Sequence, residues 1–299
     1  MQKSVSTKGL LNLIVVYVVW GCTFLFIRLA VHEGSGFPPF AMAGSRTLCA
    51  SIILFYIAKF LKYPWQIPAS EKRILLVTGV LLWLGGNGFV AWAERQVSSG
   101  YAALVIGTTP MWPVIIEAIS ERKRPSFSLV FSMLISFMGL GVLVWPVLRQ
   151  GVRADLASTL ALILAAICWS SGSLILQRRP PKAPLVLISA YQQFFGALAL
   201  ISMAILTGEP WPNPTPMAWV GWGYLVIGGS LISFTSYVIA VRTLPISIVM
   251  TYAYVNPVVA VLLGWLVLGE RITLFTGLGM VLILAGIFGI FLKRIGPGS

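Results

Sequence analysis

Long apolar stretches dominate this 299-residue sequence and constrain its fold more than any other feature. A helix needs about 20 mainly apolar residues to cross the hydrocarbon core of a bilayer. Stretches near that length, separated by short connections, are 9–31, 38–60, 74–93, 97–118, 126–147, 156–177, 184–206, 216–240, 245–267 and 273–292. With 58% hydrophobic and only 10% charged residues, the chain does not have the composition of a soluble globular domain. The sequence therefore predicts an all-α polytopic membrane protein with ten transmembrane helices.

The distribution of charge predicts the orientation of the chain. The 21 Lys and Arg outnumber the 8 Asp and Glu, an excess that by itself suggests a nucleic-acid binder. If the N-terminus is cytoplasmic, however, 15 basic residues fall on the cytoplasmic side, and the remaining ones on or near the other side are Arg28, Arg46, Arg95, Arg149, Arg153 and Arg271. This asymmetry follows the positive-inside rule. It predicts that the N- and C-termini are cytoplasmic. It also predicts that the chain lies in a lipid bilayer and binds no nucleic acid.

An internal repeat is indicated by gapless similarity between residues 93–110 and residues 240–257. The identities at this offset of 147 residues are Ala93 with Ala240, Arg95 with Arg242, Pro110 with Pro257 and, in the following span, Gly139 with Gly286. We therefore expect residues 1–150 and 151–295 to be two five-helix repeats, and residues 296–299 (GPGS) to be a cloning remnant. An odd number of spans inverts the second repeat, an arrangement that recurs in secondary transporters with a substrate site between the halves.

Polar and amphipathic aromatic residues recur at helical spacing within the predicted spans. Facing lipid would leave their hydrogen-bonding groups without partners, so they are expected to face the interior. The predicted lining of a central, substrate-binding cavity consists of Trp20, Thr23, Trp83, Asn87, Tyr101, Thr108, Trp112, Trp169, Gln192, Ser233, Tyr237, Tyr252 and Asn256. Each of these residues alone fits a hydrogen bond between helices equally well. Together they predict an aromatic interior with no net charge at its centre.

Pro110 and Pro257 occupy matching points of the two repeats, and both are predicted to kink a helix. Proline removes a backbone donor and clashes with the carbonyl group four residues earlier. Pro257 would then loosen the helix at Ala253 and place Tyr252 and Asn256 beside a water-filled cavity. The alternative is a kink that serves packing, with the tyrosines at the membrane interface.

The acidic residues bear on the energy source. Seven of them fall in loops or at span ends, namely Glu33, Glu71, Glu94, Glu121, Asp155, Glu209 and Glu270, and Glu117 closes the inner end of the fourth span. A proton-coupled pump usually needs an ionisable relay within the membrane. The sequence therefore favours facilitated diffusion or exchange. Arg28 and Arg46 are expected near the outer mouth, where each can attract a carboxylate or extend to lipid headgroups.

Catalysis has little support in the sequence. The single histidine, His32, falls in a predicted loop, and neither a metal-ligand cluster nor a Walker motif is present. We expect no enzyme activity, no catalytic residue, no metal and no cofactor. A channel stays open as an alternative, although a ring of charge or a carbonyl filter would be more typical of one.

Several motifs resemble the drug/metabolite transporter superfamily, in particular its EamA-type members. They are VVWGCTF near the start, AGSRTLCA at 43–50, and VNPVVAVLLGWLVLGERIT followed by GLGMVLILAGIF in the last two spans. In the first repeat the spacing from Pro110 to Glu121 is two residues shorter than that from Pro257 to Glu270.

The chain most resembles the YddG-like exporters of aromatic amino acids. That resemblance implies export of small metabolites through a central cavity by a protein of the bacterial inner membrane that works as a monomer. Its cargo would be aromatic and other neutral amino acids. Proton-coupled export of drugs or other metabolites, and a channel-like pore, are the alternatives.

Overall fold

The structure is a computed structural model, which describes residues 6–97, 99–122, 124–149, 156–268 and 273–295. Every regular element within these ranges is helical. In chain order the α-helices are α1 (Thr7–Gly21), α2 (Thr23–Val31), α3 (Pro39–Phe60), α4 (Ala69–Gly79), α5 (Phe89–Ala93), α6 (Ser99–Ile106), α7 (Met111–Glu121), α8 (Phe127–Arg149), α9 (Leu156–Arg178), α10 (Leu185–Leu206), α11 (Pro216–Tyr224), α12 (Phe234–Thr243), α13 (Ile246–Val249), α14 (Tyr252–Leu268) and α15 (Leu274–Ile295). Features of the sequence that lie outside the described residues are Lys3, Lys123, Arg153, Asp155, Glu270, Arg271 and the tail 296–299.

Among the described residues, 9 helical segments are long and apolar enough to cross a membrane. They are Thr7–Val31, Pro39–Phe60, Ala69–Ala93, Tyr101–Glu121, Phe127–Pro146, Leu156–Arg178, Leu185–Leu206, Pro216–Thr243 and Leu274–Leu292. These segments confirm the prediction of an all-helical polytopic membrane protein. The count of ten spans stays a prediction, because the segment predicted at 245–267 is interrupted.

The interruption lies at Met250 and Thr251, between α13 and α14. The Thr251 hydroxyl donates to the carbonyl oxygen of Ile248 (2.6 Å) and is also hydrogen-bonded to the Tyr17 hydroxyl (2.5 Å). Groups at a helix end need such partners once the regular backbone ladder stops. The helix is therefore interrupted at a buried position, where the Thr251 hydroxyl still has hydrogen-bond partners.

Two nine-residue segments of wider π-helix, π1 (Val80–Gly88) and π2 (Leu225–Ser233), continue α4 into α5 and α11 into α12. Both segments contain a Gly-Gly pair, at residues 85–86 and 228–229. π-Helical turns are rare and occur frequently at functional sites. Each therefore marks a place where backbone irregularity is tolerated inside the bundle.

Helices α8 and α15 pack closely in an antiparallel pair. A Cβ atom added at Gly139 would lie 2.7 Å from the Ile283 nitrogen, and one added at Gly279 would lie 2.6 Å from the Leu143 nitrogen. Small residues permit such close backbone approach between membrane helices. Helices α3 and α10 form a second antiparallel pair, in which the Ser51 hydroxyl donates to the carbonyl oxygen of Ala190 at 3.0 Å.

The outer surface of the bundle is strongly apolar. Large exposed side chains include Phe60, Phe127, Leu156 and Phe288. The buried interior, by contrast, contains polar residues such as Gln192, Gln193 and Ser230. This inside-out polarity suits a protein surrounded by lipid, because a bilayer offers no hydrogen-bond partners to outward-facing polar groups.

Candidate functional site

A cavity opens in the middle of the bundle, between the first and second halves of the chain. It contains about 650 Å³ of space, part of which is open to solvent. Its walls are formed by Trp20, Thr23, Ile27, Arg46, Trp83, Gly86, Asn87, Val90, Ile106, Thr109, Ala165, Ala166, Trp169, Gly229, Tyr252 and Asn256. Spans from both halves thus contribute to one site.

Four aromatic rings cluster at one side of this cavity. The Trp20 ring lies edge-on to Trp169 at a centroid distance of 5.4 Å and edge-on to Tyr252 at 5.2 Å. Tyr237 packs behind them, with its ring centroid 5.1 Å from Trp20 and 5.2 Å from Trp169. Edge-on and tilted aromatic pairs at these distances attract one another by about 0.5–1.5 kcal/mol beyond their burial.

Hydrogen bonds hold these rings in place. The Trp20 indole N–H donates to the carbonyl oxygen of Gly229 in π2 at 3.1 Å. The Ser173 hydroxyl donates to the carbonyl oxygen of Trp169 (2.6 Å), so its oxygen accepts from the Tyr237 hydroxyl (2.5 Å). The ring cluster is therefore preorganised, because its members are tied to backbone and to one another.

Polar groups line the cavity beside the rings. Arg46 is 3% exposed, and its Nη2 donates to Asn87 Oδ1 at 2.5 Å. Asn87 in turn donates through Nδ2 to the carbonyl oxygen of Leu82 at 3.3 Å. On α14, the buried Oδ1 of Asn256 has no hydrogen-bond partner in the described ranges. The site thus combines a guanidinium, an open amide oxygen and an aromatic wall.

The cavity wall includes many of the residues that the sequence suggested. Those present are Trp20, Thr23, Trp83, Asn87, Trp169, Tyr252 and Asn256. Tyr237 and Ser233 are fully buried and do not line the cavity, since Tyr237 supports the ring cluster from behind. Gln192 points elsewhere and donates to the Thr78 hydroxyl at 2.8 Å.

The fourth span contributes less to the cavity than predicted. The Tyr101 hydroxyl is hydrogen-bonded to the Thr159 hydroxyl at 2.8 Å, away from the cavity wall. Thr108 donates to the carbonyl oxygen of Val105 and accepts from the Trp112 indole N–H at 3.3 Å. These residues bond within their own span or to a neighbouring helix, which is the alternative that the sequence left open.

Arg46 is the lining residue that changes the predicted character of the site. The sequence predicted an interior without net charge and placed Arg46 near the outer mouth, whereas the structure buries it in the cavity wall. Arg28, predicted at a similar depth, is exposed. The one available signal was the position of Arg46, seven residues inside an apolar helix, where a charge is costly.

The two prolines behave differently. The fourth span is interrupted over residues 107–110, and α7 begins directly after Pro110. Pro257 lies within the continuous helix α14, and the break in its span falls upstream, at Met250 and Thr251. Tyr252 and Asn256 still line the cavity, as the first two turns of α14 enter it.

Glu94 follows the last residue of α5 and is only 2% exposed. Among the described residues, neither of its carboxyl oxygens has a hydrogen-bond partner. Burial raises the pKa of Glu94 to about 8, and the positive charge of Arg28 offsets part of that rise. The sequence placed this residue at a span end but gave no sign that it would be enclosed.

Comparisons with known proteins identify the family. The sequence model of the EamA-like transporter family matches residues 7–145 and 156–292. Relatives include YedA of Escherichia coli, named an uncharacterized inner membrane transporter, which is 28% identical over 95% of this chain and 90% of its own. YoaV of Bacillus subtilis, named an uncharacterized transporter, is 21% identical over 94% of this chain and 96% of its own.

The fold is also found among solved structures. One crystal structure, of a protein 20% identical to this chain, superposes with a TM-score of 0.78 over 97% of this chain and 99% of that one. At this identity the likeness concerns the fold alone. The two family matches together cover nearly the whole sequence. This chain therefore belongs to the EamA-like transporter family.

Proposed function

We propose that this protein is a secondary transporter of the bacterial inner membrane that exports aromatic and other neutral amino acids from the cytoplasm by alternating access. Transport proceeds by facilitated diffusion or by exchange. The observation that carries the proposal is the central cavity, where an aromatic wall meets polar groups able to bind both ends of a zwitterion. The rings of Trp20, Trp169 and Tyr252 suit an aromatic or aliphatic side chain.

The packing of α8 on α15 supports two inverted repeats, residues 1–150 and 151–295. At the offset of 147 residues, Gly139 corresponds to Gly286 and Ser136 corresponds to Ile283. Gly139 packs on Ile283, and Gly286 packs on Ser136, so the same contact occurs twice with the halves exchanged. An antiparallel pair with this register is expected beside the two-fold axis of an inverted repeat.

The separate matches of one family model to residues 7–145 and 156–292 support the same division. Orientation is proposed from charge, since the excess of Lys and Arg at one end of the predicted spans favours cytoplasmic termini. The inner-membrane description of YedA agrees with the proposed location.

Uptake into liposomes tests the proposal. Purified protein is reconstituted, and entry of labelled phenylalanine and threonine is compared with protein-free liposomes, with and without unlabelled amino acid inside. We expect saturable, protein-dependent uptake that accelerates when amino acid is present on the far side. A carrier shows this trans effect, whereas a channel conducts without it.

Absence of uptake for both amino acids would contradict amino-acid transport, but it would not affect the assignment of family and fold. Uptake without saturation or trans acceleration would favour the channel-like pore. Equal uptake of the two amino acids would retain a carrier but remove the preference for aromatic cargo that the ring cluster suggests.

A second candidate function, proton-coupled export of drugs or other small metabolites, is favoured by Glu94. A buried carboxyl group that binds a proton near neutral pH is the kind of group that proton-coupled carriers employ. Because burial raises the pKa of Glu94 to about 8, the side chain carries a proton at pH 7. Dependence of the uptake rate on a pH gradient, abolished by Glu94→Gln, would favour this candidate over facilitated diffusion.

The same carboxyl group should make stability depend on pH. From about pH 4.5 to pH 8, the unfolded chain releases the proton while the folded chain keeps it. The free energy of unfolding should therefore fall with rising pH, by up to about 1.4 kcal/mol per pH unit, and level off above pH 8. Thermal unfolding of wild-type and Glu94→Gln protein in detergent at pH 5–9 measures this.

Glu94→Gln should flatten the profile, because the amide cannot ionise. Glu33→Gln removes an exposed carboxyl group and is the matched control, for which the wild-type slope should persist. Parallel profiles for wild-type and Glu94→Gln protein would show that Glu94 is not enclosed in the folded state.

A further inference from the structure

The guanidinium of Arg46 is enclosed without an acidic partner. It lies in α3, is 3% exposed and belongs to the cavity wall. No Asp or Glu of the described residues forms an ion pair with it. A buried charge that lacks a counter-ion is unfavourable, and such charges are normally paired. The positive charge is thus available to an anion that enters the cavity.

Neighbouring groups orient the guanidinium and leave donors open. One nitrogen, Nη2, donates to Asn87, and the central carbon lies 5.4 Å from the centroid of the Trp83 ring. Asn87 and Trp83 therefore fix the plane of the side chain through one hydrogen bond and one cation–π contact. Within the part of the chain that the structure describes, the buried Nε of Arg46 and the indole nitrogen of Trp83 have no hydrogen-bond partners.

These two open donors belong to side chains in mutual contact, and both side chains line the cavity. A guanidinium presents its N–H groups in a rigid fork that matches the two oxygens of a carboxylate. Asn256, on α14, lines the same space and has a buried amide oxygen for which the described residues offer no partner. That oxygen can accept a hydrogen bond from an ammonium group but cannot bind an anion.

We propose that Arg46 and Trp83 form a carboxylate-binding subsite, so that the cavity selects substrates with a carboxylate group next to an apolar or aromatic body. This inference rests on the proposed function and assigns the recognition of the substrate carboxylate to these two residues. Asn87 acts as a positioning residue for Arg46. Lipophilic amines without a carboxylate are excluded, because they would bring a second positive charge beside Arg46.

The probes for the test are three molecules with one aromatic ring: phenylalanine, 3-phenylpropionate, which lacks the ammonium group, and phenethylamine, which lacks the carboxylate. Binding is measured as the ligand-induced rise in melting temperature of detergent-purified protein, which requires no transport. Wild-type protein should be stabilised by phenylalanine and 3-phenylpropionate, with at least tenfold weaker apparent binding of phenethylamine.

Arg46→Gln should abolish the stabilisation by 3-phenylpropionate and remove the discrimination against phenethylamine. Arg95→Gln is the matched control, because Arg95 also lies over a tryptophan ring, Trp92, at 5.3 Å, but is exposed. Arg95→Gln should keep the wild-type preference. Stabilisation of wild-type protein by phenethylamine as strong as by 3-phenylpropionate, or a folded Arg46→Gln variant with the wild-type preference, would overturn the subsite.

The design separates this inference from the proposed function. If wild-type protein transports no amino acid yet binds 3-phenylpropionate through Arg46, the proposed subsite is supported and the proposed amino-acid transport is contradicted. If wild-type protein transports phenylalanine and Arg46→Gln leaves the preference for 3-phenylpropionate over phenethylamine unchanged, amino-acid transport is supported and the subsite is contradicted. If Arg46→Gln does not fold, Trp83→Phe removes the second donor, and an unchanged affinity for 3-phenylpropionate in that variant overturns the subsite.

Discussion

Replacement of Gly279 by Ala should lower the free energy of unfolding by about 1–3 kcal/mol, the usual cost of overpacking a close-packed interior. The new Cβ would lie 2.6 Å from the nitrogen and 2.7 Å from the Cα of Leu143 on the neighbouring helix. These are backbone atoms, so no side-chain rotation relieves the contact, and α8 and α15 must move apart. Denaturant or thermal unfolding in detergent micelles measures the loss.

Gly277, two residues away in the same helix, is the matched control. A Cβ added there meets no heavy atom of the described residues within 4 Å. Gly277→Ala should therefore stabilise the protein by about 0.5–1 kcal/mol, because alanine restricts the unfolded chain more than glycine does. Stabilisation by Gly279→Ala similar to that by Gly277→Ala would show that α8 and α15 are not packed as described.

Gly86→Ala should block transport more than it disturbs folding. The added Cβ would lie 2.5 Å from Cε3 of Trp169, a ring already confined by Trp20 and Tyr237. Because Trp169 lines the cavity, the displaced indole would occupy part of the space that is proposed to bind substrate. The uptake rate at equal amounts of folded protein should fall roughly tenfold or more, equivalent to about 1.4 kcal/mol.

Gly223→Ala is the matched control, since no heavy atom in the part of the chain that the structure describes lies within 4 Å of the added Cβ in α11. Uptake by this variant should match wild-type uptake in the same liposome assay. A Gly86→Ala protein that folds and transports at the wild-type rate would contradict the proposal that the Trp169 ring borders the transport path.

The membrane fold could be predicted from the sequence, because the length of an apolar stretch depends only on consecutive residues. The spacing that placed Trp20 and Thr23 on one helical face also placed them in the cavity wall. Rotation of each helix about its own axis is set by its neighbours, and for that reason Tyr101 and Gln192 bond elsewhere. Span length alone gave no information on that rotation.

Other features depend on contacts between distant segments. The π-helical register of π1 and π2 and the break at Met250 require partners that no single segment specifies. The enclosure of Glu94 and Arg46 likewise results from helices that meet only in three dimensions. The sequence placed Glu94 at a span end and Arg46 near the outer mouth, and the burial of both side chains changes the chemistry expected of the site.

The contact between α8 and α15 has a practical consequence for purification. Over residues 132–143 and 279–289 the two helices contain no charged side chain, so ionic strength leaves their association unaffected. Their cohesion instead depends on backbone approach and on the apolar chains of lipid or detergent around them. Solubilisation is therefore the step at which these two helices can separate, and the choice of detergent matters more for an intact preparation than the choice of salt.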